Sequence, residues 1–234
     1  GKLKLSTFWV LAWPHTQLGG ALPPECGNLV QVRWLGLSNN QLSGPIPAEL
    51  GHLSNLETLF ISDNQLSGSI PPELGNLSNM VTLGLSYNQL SGGIPGELGK
   101  IGYLHFLYLD HNQLSGSIPA ELSDSSLKIL RLNENFLTGD VPESFSNLFN
   151  LEDPGAAWDG GDGLDMDYNM LNVPVDYPDP FNPLHAFLFQ KDPDWHTLQG
   201  FQQVIGKAGG VLASLDGRTV FDMPHFVQRN VIAG

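Results

Sequence analysis

One sequence pattern recurs through most of the chain, and it constrains the fold more than any other feature. Asparagine appears every 24 residues, at Asn40, Asn64, Asn88 and Asn112, and again 23 residues later at Asn135. Around each of them the chain spells the template LxxLxLxxNxLSGxIPxxLGxLxx. Self-similarity at this period is typical of stacked units, each of which buries its apolar side against its neighbours.

The positions of the template have distinct physical roles. In LxxLxL the leucines alternate with polar residues, which predicts a short strand with one buried face, and stacked copies predict a parallel sheet. The asparagine that follows can satisfy backbone groups of its own turn and of the adjacent coil, so we expect a structural ladder of amides. This ladder comprises Asn40, Asn64, Asn88, Asn112, Asn135 and Asn169.

The template resembles the leucine-rich repeat family, in the subtype found in plant receptor ectodomains and in similar bacterial proteins. The resemblance implies a right-handed superhelical solenoid of α/β type. Its concave face would carry the parallel sheet, and its convex side would be irregular or 3₁₀-helical. The family resemblance also implies an extracellular or cell-surface protein that recognises a protein or peptide, without catalysis and without a cofactor.

The repeat extends beyond its clearest copies. We expect about seven coils over residues 1–171, of which 1–28 and 148–171 are irregular, with an insertion near 153–163. Asn169 lies in the last of these coils, where the sequence matches the pattern LxLxxNxL again.

Residues 172–234 depart from the period and are interpreted as a wrapping and capping segment. Asp192-Pro193 predicts a helix start, with a helix near 193–208, and Asp216-Gly217 predicts a hairpin near 211–223. Such a segment would cover the open core of the last coil. The alternative is that the hairpin opens a further β domain.

The outward face of the sheet is the candidate functional surface. Template positions three, five, seven and eight should point away from the core, and several of them are aromatic. A solvent face has no structural need of aromatic side chains, whereas recognition surfaces use them as anchors. The candidate partner-binding residues are Trp34, Phe60, Thr82, Tyr87, Phe106, Tyr108, Asp110, His111 and Arg131. Two structural alternatives stay open: a cross-strand aromatic ladder, or burial under the C-terminal segment.

Charge and composition exclude several classes of partner. Lys+Arg number 10 against Asp+Glu 24, a net charge of −14, so nucleic acid and anionic membranes would be repelled. No apolar run is long enough to insert into a membrane. The sequence contains no G-x-S-x-G, H-E-x-x-H or phosphate-loop motif, which argues against an enzyme.

An acidic cluster near the insertion is the one candidate for metal binding. Its members are Asp159, Asp162, Asp165 and Asp167. Their oxygens could hold Ca²⁺, but the spacing does not match an EF-hand loop, and glycine-rich acidic loops are often merely solvated. We therefore assign no metal from the sequence.

Two functions remain. The first is a recognition module that binds a protein or peptide on the concave face by shape and hydrogen bonding. The alternative is a structural spacer or stalk of a larger surface or adhesin-like protein. The aromatic residues on the outward face discriminate between them, since a spacer would tolerate their loss.

Overall fold

The computed structural model describes residues 9–153, 163–174, 177–179, 181–193, 195–196 and 199. In chain order the strands are β1 (Val10–Ala12), β2 (Gly19–Ala21), β3 (Trp34–Gly36), β4 (Gln41–Gly44), β5 (Thr58–Phe60), β6 (Gln65–Gly68), β7 (Thr82–Gly84), β8 (Gln89–Gly92), β9 (Phe106–Tyr108), β10 (Gln113–Gly116), β11 (Ile129–Arg131), β12 (Phe136–Gly139), β13 (Leu164–Asp165) and β14 (Met170–Leu171). They form two seven-stranded parallel sheets, one of the odd-numbered and one of the even-numbered strands.

The first sheet is the one that the LxxLxL pattern predicts. Its central leucines lie in register from strand to strand, as in the pairing of Leu35 with Leu59 and of Leu59 with Leu83. These leucines are buried and belong to one continuous apolar core. Since each coil covers the core of the next, each coil depends on its neighbours for stability. The solenoid fold expected from the sequence is thus confirmed, and seven strands of this sheet lie within the described residues.

The second sheet is a structure that the sequence analysis did not anticipate. Four of its strands, β4, β6, β8 and β10, are Gln-Leu-Ser-Gly segments, whose leucines, such as Leu66 and Leu90, are buried. These four strands and β12 each end at a glycine with positive φ, for example +79° at Gly68, which other residues adopt only with strain. The reversal at the glycine takes the chain to the convex side.

The convex side is formed by short 3₁₀ helices, as expected. They are Pro24–Asn28, Ala48–His52, Pro72–Asn76, Gly96–Lys100, Ala120–Asp124 and Glu143–Asn147. Each follows a proline in extended conformation, for example Pro71 at φ −65° and ψ 128°. Proline thus sets the entry angle of each turn.

The asparagine ladder is present in every coil that the structure describes in full. Asn112 shows the pattern: its Oδ1 accepts a hydrogen bond from the Leu90 amide at 3.0 Å. Its Nδ2 lies 3.1 Å from the carbonyl oxygens of Leu85 and Leu109. One side-chain amide therefore links two coils and bonds backbone groups that have no partner within either sheet.

The residue before each ladder asparagine adopts a left-handed conformation. The φ angles are +54° at Asp63, +55° at Tyr87, +53° at His111 and +53° at Glu134. This conformation is uncommon outside glycine and costs about 1 kcal/mol or more for most side chains. It recurs because the turn between the two sheets requires it, and it aligns these four side chains in one column.

The C-terminal segment packs a helix, α1 (Pro183–Lys191), against the 3₁₀ helix Glu143–Asn147. Asn182 caps its start by accepting hydrogen bonds from the amides of Leu184 and His185. Leu188 and Trp195 join the core of the solenoid.

A helix that the sequence did not predict ends at the expected helix start, Asp192-Pro193. Asp192 is the residue at the C-terminal end of α1, and its carboxylate accepts a hydrogen bond from the Met166 amide at 2.9 Å. The sequence holds a second pair with the same signature, Asn182-Pro183, and that pair starts the helix. Most of the expected helix near 193–208 and all of the hairpin near 211–223 lie outside the described residues, so the domain boundaries stay predictions.

Candidate functional site

The outward face of the first sheet carries the aromatic side chains that the sequence analysis selected. Trp34 begins β3, Phe60 ends β5, and Phe106 and Tyr108 flank the buried centre of β9. Trp34 is 45% exposed, and the other three are partly exposed. Trp34 and Phe60 approach each other, with ring centroids 6.1 Å apart. A cross-strand aromatic contact therefore exists at this pair and leaves both rings accessible.

Not every outward template position is open to solvent. Thr58 is 8% exposed and Ile129 is fully buried, although both occupy position three. Ser86, at position seven, is also buried and donates a hydrogen bond to Asp110. Burial of these three residues leaves only some of positions three and seven open to solvent.

A groove of about 490 Å³ opens on this face. We call it the His111 groove; its lining residues are Phe60, Ser62, Asp63, Ser86, Tyr87, Tyr108, Asp110, His111, Arg131, Asn133 and Asp165. Six of the nine candidate residues come together here. The other three, Trp34, Thr82 and Phe106, lie on the same sheet but outside the lining.

His111 lies at the centre of an ionic network. Its Nδ1 is 3.0 Å from Oδ2 of Asp110, and its Nε2 is 2.8 Å from Oε1 of Glu134. The ring also stacks on Tyr87, with centroids 3.9 Å apart and planes 22° from parallel. Both nitrogens and one ring face are thus engaged, so the position of the imidazole is fixed.

The same contacts determine the charge of His111. Partial burial opposes the imidazolium, but the hydrogen bonds to Asp110 and Glu134 and the charges of these carboxylates outweigh it and raise the pKa of His111 from 6.5 to about 9. The side chain is therefore cationic at neutral pH. It bridges two carboxylates on neighbouring coils, and the bridge carries a net negative charge.

A second ion pair lies at the other side of the groove. Arg131 NH1 is 3.6 Å from Oδ2 of Asp165, and both side chains are largely buried. Arg131 ends β11 and Asp165 ends β13, so the pair crosses adjacent strands in register. Like the His111 network, it orders charged groups in the absence of a ligand.

Two acidic residues at this site were not selected from the sequence: Asp63, which lines the groove, and Glu134, which contacts His111. Both occupy position eight, as Tyr87 and His111 do, and the signal that would have found them is the register of the repeat. Asp165 was considered only as a metal ligand. The left-handed turn before each ladder asparagine brings this column of side chains onto the concave face.

Carboxylates also meet at the C-terminal end of the solenoid. Ligand oxygens of Asp165, Asp167 and Asp192 lie within 4.8 Å of one another. Asp192 bonds the Met166 amide, Asp165 pairs with Arg131, and the Asp167 amide donates to Asp165. These contacts within the protein hold the carboxylates of Asp165 and Asp192 in place. The other two candidates, Asp159 and Asp162, lie outside the described residues.

Comparisons with known proteins agree with this architecture. The family described as Leucine Rich Repeat matches residues 31–53, 55–77, 79–101, 103–125 and 126–148. No curated protein sequence matches the chain. Among solved structures, the chain is similar to the plant peptide hormone receptor RGFR1 in complex with RGF2, with 36% identity over 71% of this chain and 25% of that one and a TM-score of 0.66.

Two further structures are similar to this chain. A TDR receptor is 34% identical over 70% of this chain and 27% of its own, with a TM-score of 0.64. A plant ice-binding protein is 30% identical over 70% of this chain and 57% of its own, with a TM-score of 0.58. The chain thus spans about a quarter of the length of these receptors. Within the described residues, no helix has the length and apolar character needed to cross a bilayer.

Proposed function

The chain belongs to the leucine-rich repeat family, and we propose that the concave face of its solenoid recognises a protein or peptide ligand outside the cell. The observation that carries this proposal is the His111 groove. Partly exposed aromatic rings lie beside ordered charged groups there, and aromatic anchors of this kind are common in recognition surfaces.

Preorganisation supports the same function. The groove side chains are held by the stack on Tyr87, by the ion pairs of His111 and by the pair of Arg131 with Asp165. A ligand that binds such a surface orders few new side chains, which keeps the entropic cost of association low. Binding would rest on shape and hydrogen bonds, without a chemical step.

The similar structures support a peptide as the ligand class. RGFR1 was solved with the peptide RGF2, and its sequence is 36% identical over 71% of this chain. That similarity is the basis for placing the present chain outside the cell.

A binding screen tests the proposal. The purified chain is presented with panels of extracellular proteins, peptides and glycans, and each hit is repeated with a variant that combines Trp34→Ala, Phe60→Ala, Phe106→Ala and Tyr108→Ala. We expect the variant to lose binding by at least tenfold, as happens when interface anchors are truncated.

A matched control carries Phe149→Ala and Phe136→Ala, which remove exposed aromatic rings away from this face. Circular dichroism serves to check that both variants are folded. Equal binding by the parent chain and the fourfold variant would place the site elsewhere. Absence of any ligand would favour the spacer function.

A different observation favours a second candidate function, the binding of ice. The second sheet presents the same exposed glutamine in four successive coils, at Gln41, Gln65, Gln89 and Gln113. Serines repeat beside them, and parallel strands stack about 4.8 Å apart, so the array is regular. A plant ice-binding protein shares 30% identity with this chain.

Inhibition of ice recrystallisation tests this second function. If the array binds ice, the parent chain keeps ice grains small, and Gln65→Lys with Gln89→Lys abolishes the effect by interrupting the repeat. Glu73→Lys, on the convex side, is the matched control. Growth of ice grains at the rate seen in buffer would eliminate ice binding.

A further inference from the structure

We propose that the His111 groove selects a ligand segment with a basic side chain, an arginine above all, flanked by apolar or aromatic residues. This inference deepens the proposed function and depends on it. It concerns the chemistry of the ligand, which follows from the charges and rings that line the groove.

The groove carries more negative than positive side chains. Asp63, Asp110 and Asp165 line it, and Glu134 joins them through its contact with His111. Two cations, His111 and Arg131, stand against these four carboxylates, even with His111 counted as charged. The groove is therefore net acidic.

Both cations of the groove are already paired with carboxylates. His111 is bonded to a carboxylate on each side, and Arg131 pairs with Asp165. Their fields are compensated at close range, so neither presents an isolated positive charge to a ligand. A carboxylate on the ligand would meet an acidic surface, whereas a cation would be attracted.

The aromatic rings of the groove can also stabilise a cation. Phe60, Tyr87 and Tyr108 line the groove beside the carboxylates. A cation over such a ring is stabilised by the quadrupole of the ring, and a guanidinium can stack on the ring while it donates hydrogen bonds to a carboxylate. This combination favours arginine over lysine.

The carboxylates that line the groove supply hydrogen-bond acceptors to a ligand. Arginine carries five donors and no acceptor, so its hydrogen bonding complements the wall.

The net charge of the whole chain acts in the same direction. At −14, the protein attracts cationic segments over distances set by the ionic strength. This long-range attraction is not selective, so the groove itself has to be tested against other acidic surfaces of the same molecule.

The experiment is a selection from a random twelve-residue peptide library displayed on phage, with the purified chain as bait. The recovered peptides are then assayed on the fourfold alanine variant of the concave face. We expect the recovered peptides to be enriched in arginine next to aromatic residues. The best peptide is then synthesised with its arginine and, separately, with neutral citrulline in its place.

One substitution probes the groove without disturbing the turn. Asp63→Asn removes a charge at a left-handed position that asparagine tolerates well. We expect it to weaken binding of the arginine peptide roughly tenfold and to leave the citrulline peptide nearly unchanged. Glu73→Gln, exposed on the convex side, removes the same charge elsewhere and should have less than a twofold effect.

The outcomes separate this inference from the function on which it depends. Peptides that need the concave face but show no basic enrichment, or that bind equally with citrulline, would overturn the inference and keep the proposed function. Peptides that bind the fourfold alanine variant as well as the parent would overturn both. Equal losses for Asp63→Asn and Glu73→Gln would show general charge attraction and would also overturn the inference.

Discussion

The imidazole of His111 lies almost parallel to the phenol ring of Tyr87, with ring centroids 3.9 Å apart. Both residues precede a ladder asparagine, and both have positive φ. The turn that the repeat imposes on each coil therefore brings the two rings face to face on successive coils. The left-handed turn that joins the two sheets thus also sets the positions of these side chains on the concave face.

The first prediction concerns the pH dependence of stability. The pKa of His111 is about 9 in the folded chain and about 6.5 when the chain is unfolded. The folded state binds this proton more tightly, so the contribution of His111 is complete below pH 6.5 and is lost as the pH rises through 9. We expect a loss of about 1 to 2 kcal/mol, since solvent screens the partly open pairs.

Urea unfolding at pH 6.0, 7.5 and 9.5 measures this effect. His111→Asn, which retains a residue suited to positive φ, is the control and should flatten the pH dependence in this range. The prediction is wrong if the parent and the variant lose stability in parallel.

The second prediction concerns the asparagine ladder. Asn112→Ala removes a buried amide that bonds the Leu90 amide and the carbonyls of Leu85 and Leu109. We expect a loss of about 2 to 3 kcal/mol in the free energy of unfolding, because these groups lose their partner. Asn79→Ala removes one exposed hydrogen bond to Ser54 and should cost less than about 1 kcal/mol. Similar costs in chemical denaturation would contradict the structural role of the ladder.

The third prediction concerns the close packing of the convex turns. A Cβ atom on Gly99 would lie 1.9 Å from the backbone oxygen of Glu121 in the next coil. Gly99→Ala should therefore force the coils apart and cost more than about 2 kcal/mol. Gly102→Ala meets nothing within 4 Å and should change stability by less than about 0.5 kcal/mol. Thermal unfolding of the two variants compares them directly, and equal melting temperatures would refute the prediction.

The fourth prediction concerns the end of the ladder. Gln199 takes the place of the next asparagine: its Oε1 accepts from the Leu171 amide at 3.1 Å, and its Nε2 donates to the Met166 carbonyl at 3.1 Å. Gln199→Ala should destabilise the last coil by about 1 kcal/mol and speed hydrogen exchange at Leu171. Unchanged exchange at Leu171, with faster exchange elsewhere, would argue against this capping role.

Much of the fold could be predicted from the sequence because the repeat is strict. The strand of the first sheet, the asparagine ladder and the proline at each convex turn all follow from template positions whose chemistry allows few alternatives. The second sheet was missed because Gln-Leu-Ser-Gly shows only one buried residue in four, which gives no clear strand period. Its pairing comes from the stacking of the coils.

The candidate site was only partly predictable. Register placed Phe60, Tyr108 and Arg131 on the concave face, but it could not show which of the nine residues meet in one groove. That depends on side-chain contacts between coils, as between His111 and Glu134. The helix α1 was missed because its start, Asn182-Pro183, carries the same signal as Asp192-Pro193, and the packing of Asp192 on the last coil could not be foreseen.

Site-specific photocrosslinking tests the central claim, ligand binding on the concave face, most directly. p-Benzoylphenylalanine is placed at Thr82, on the strand beside the groove, and in a second protein at Phe149, which is 79% exposed away from that face. The ligand is the tightest peptide recovered by selection on the unmodified chain. Our account predicts a crosslink from position 82 and none from position 149. A crosslink from position 149 alone, or equal yields from both, would contradict it.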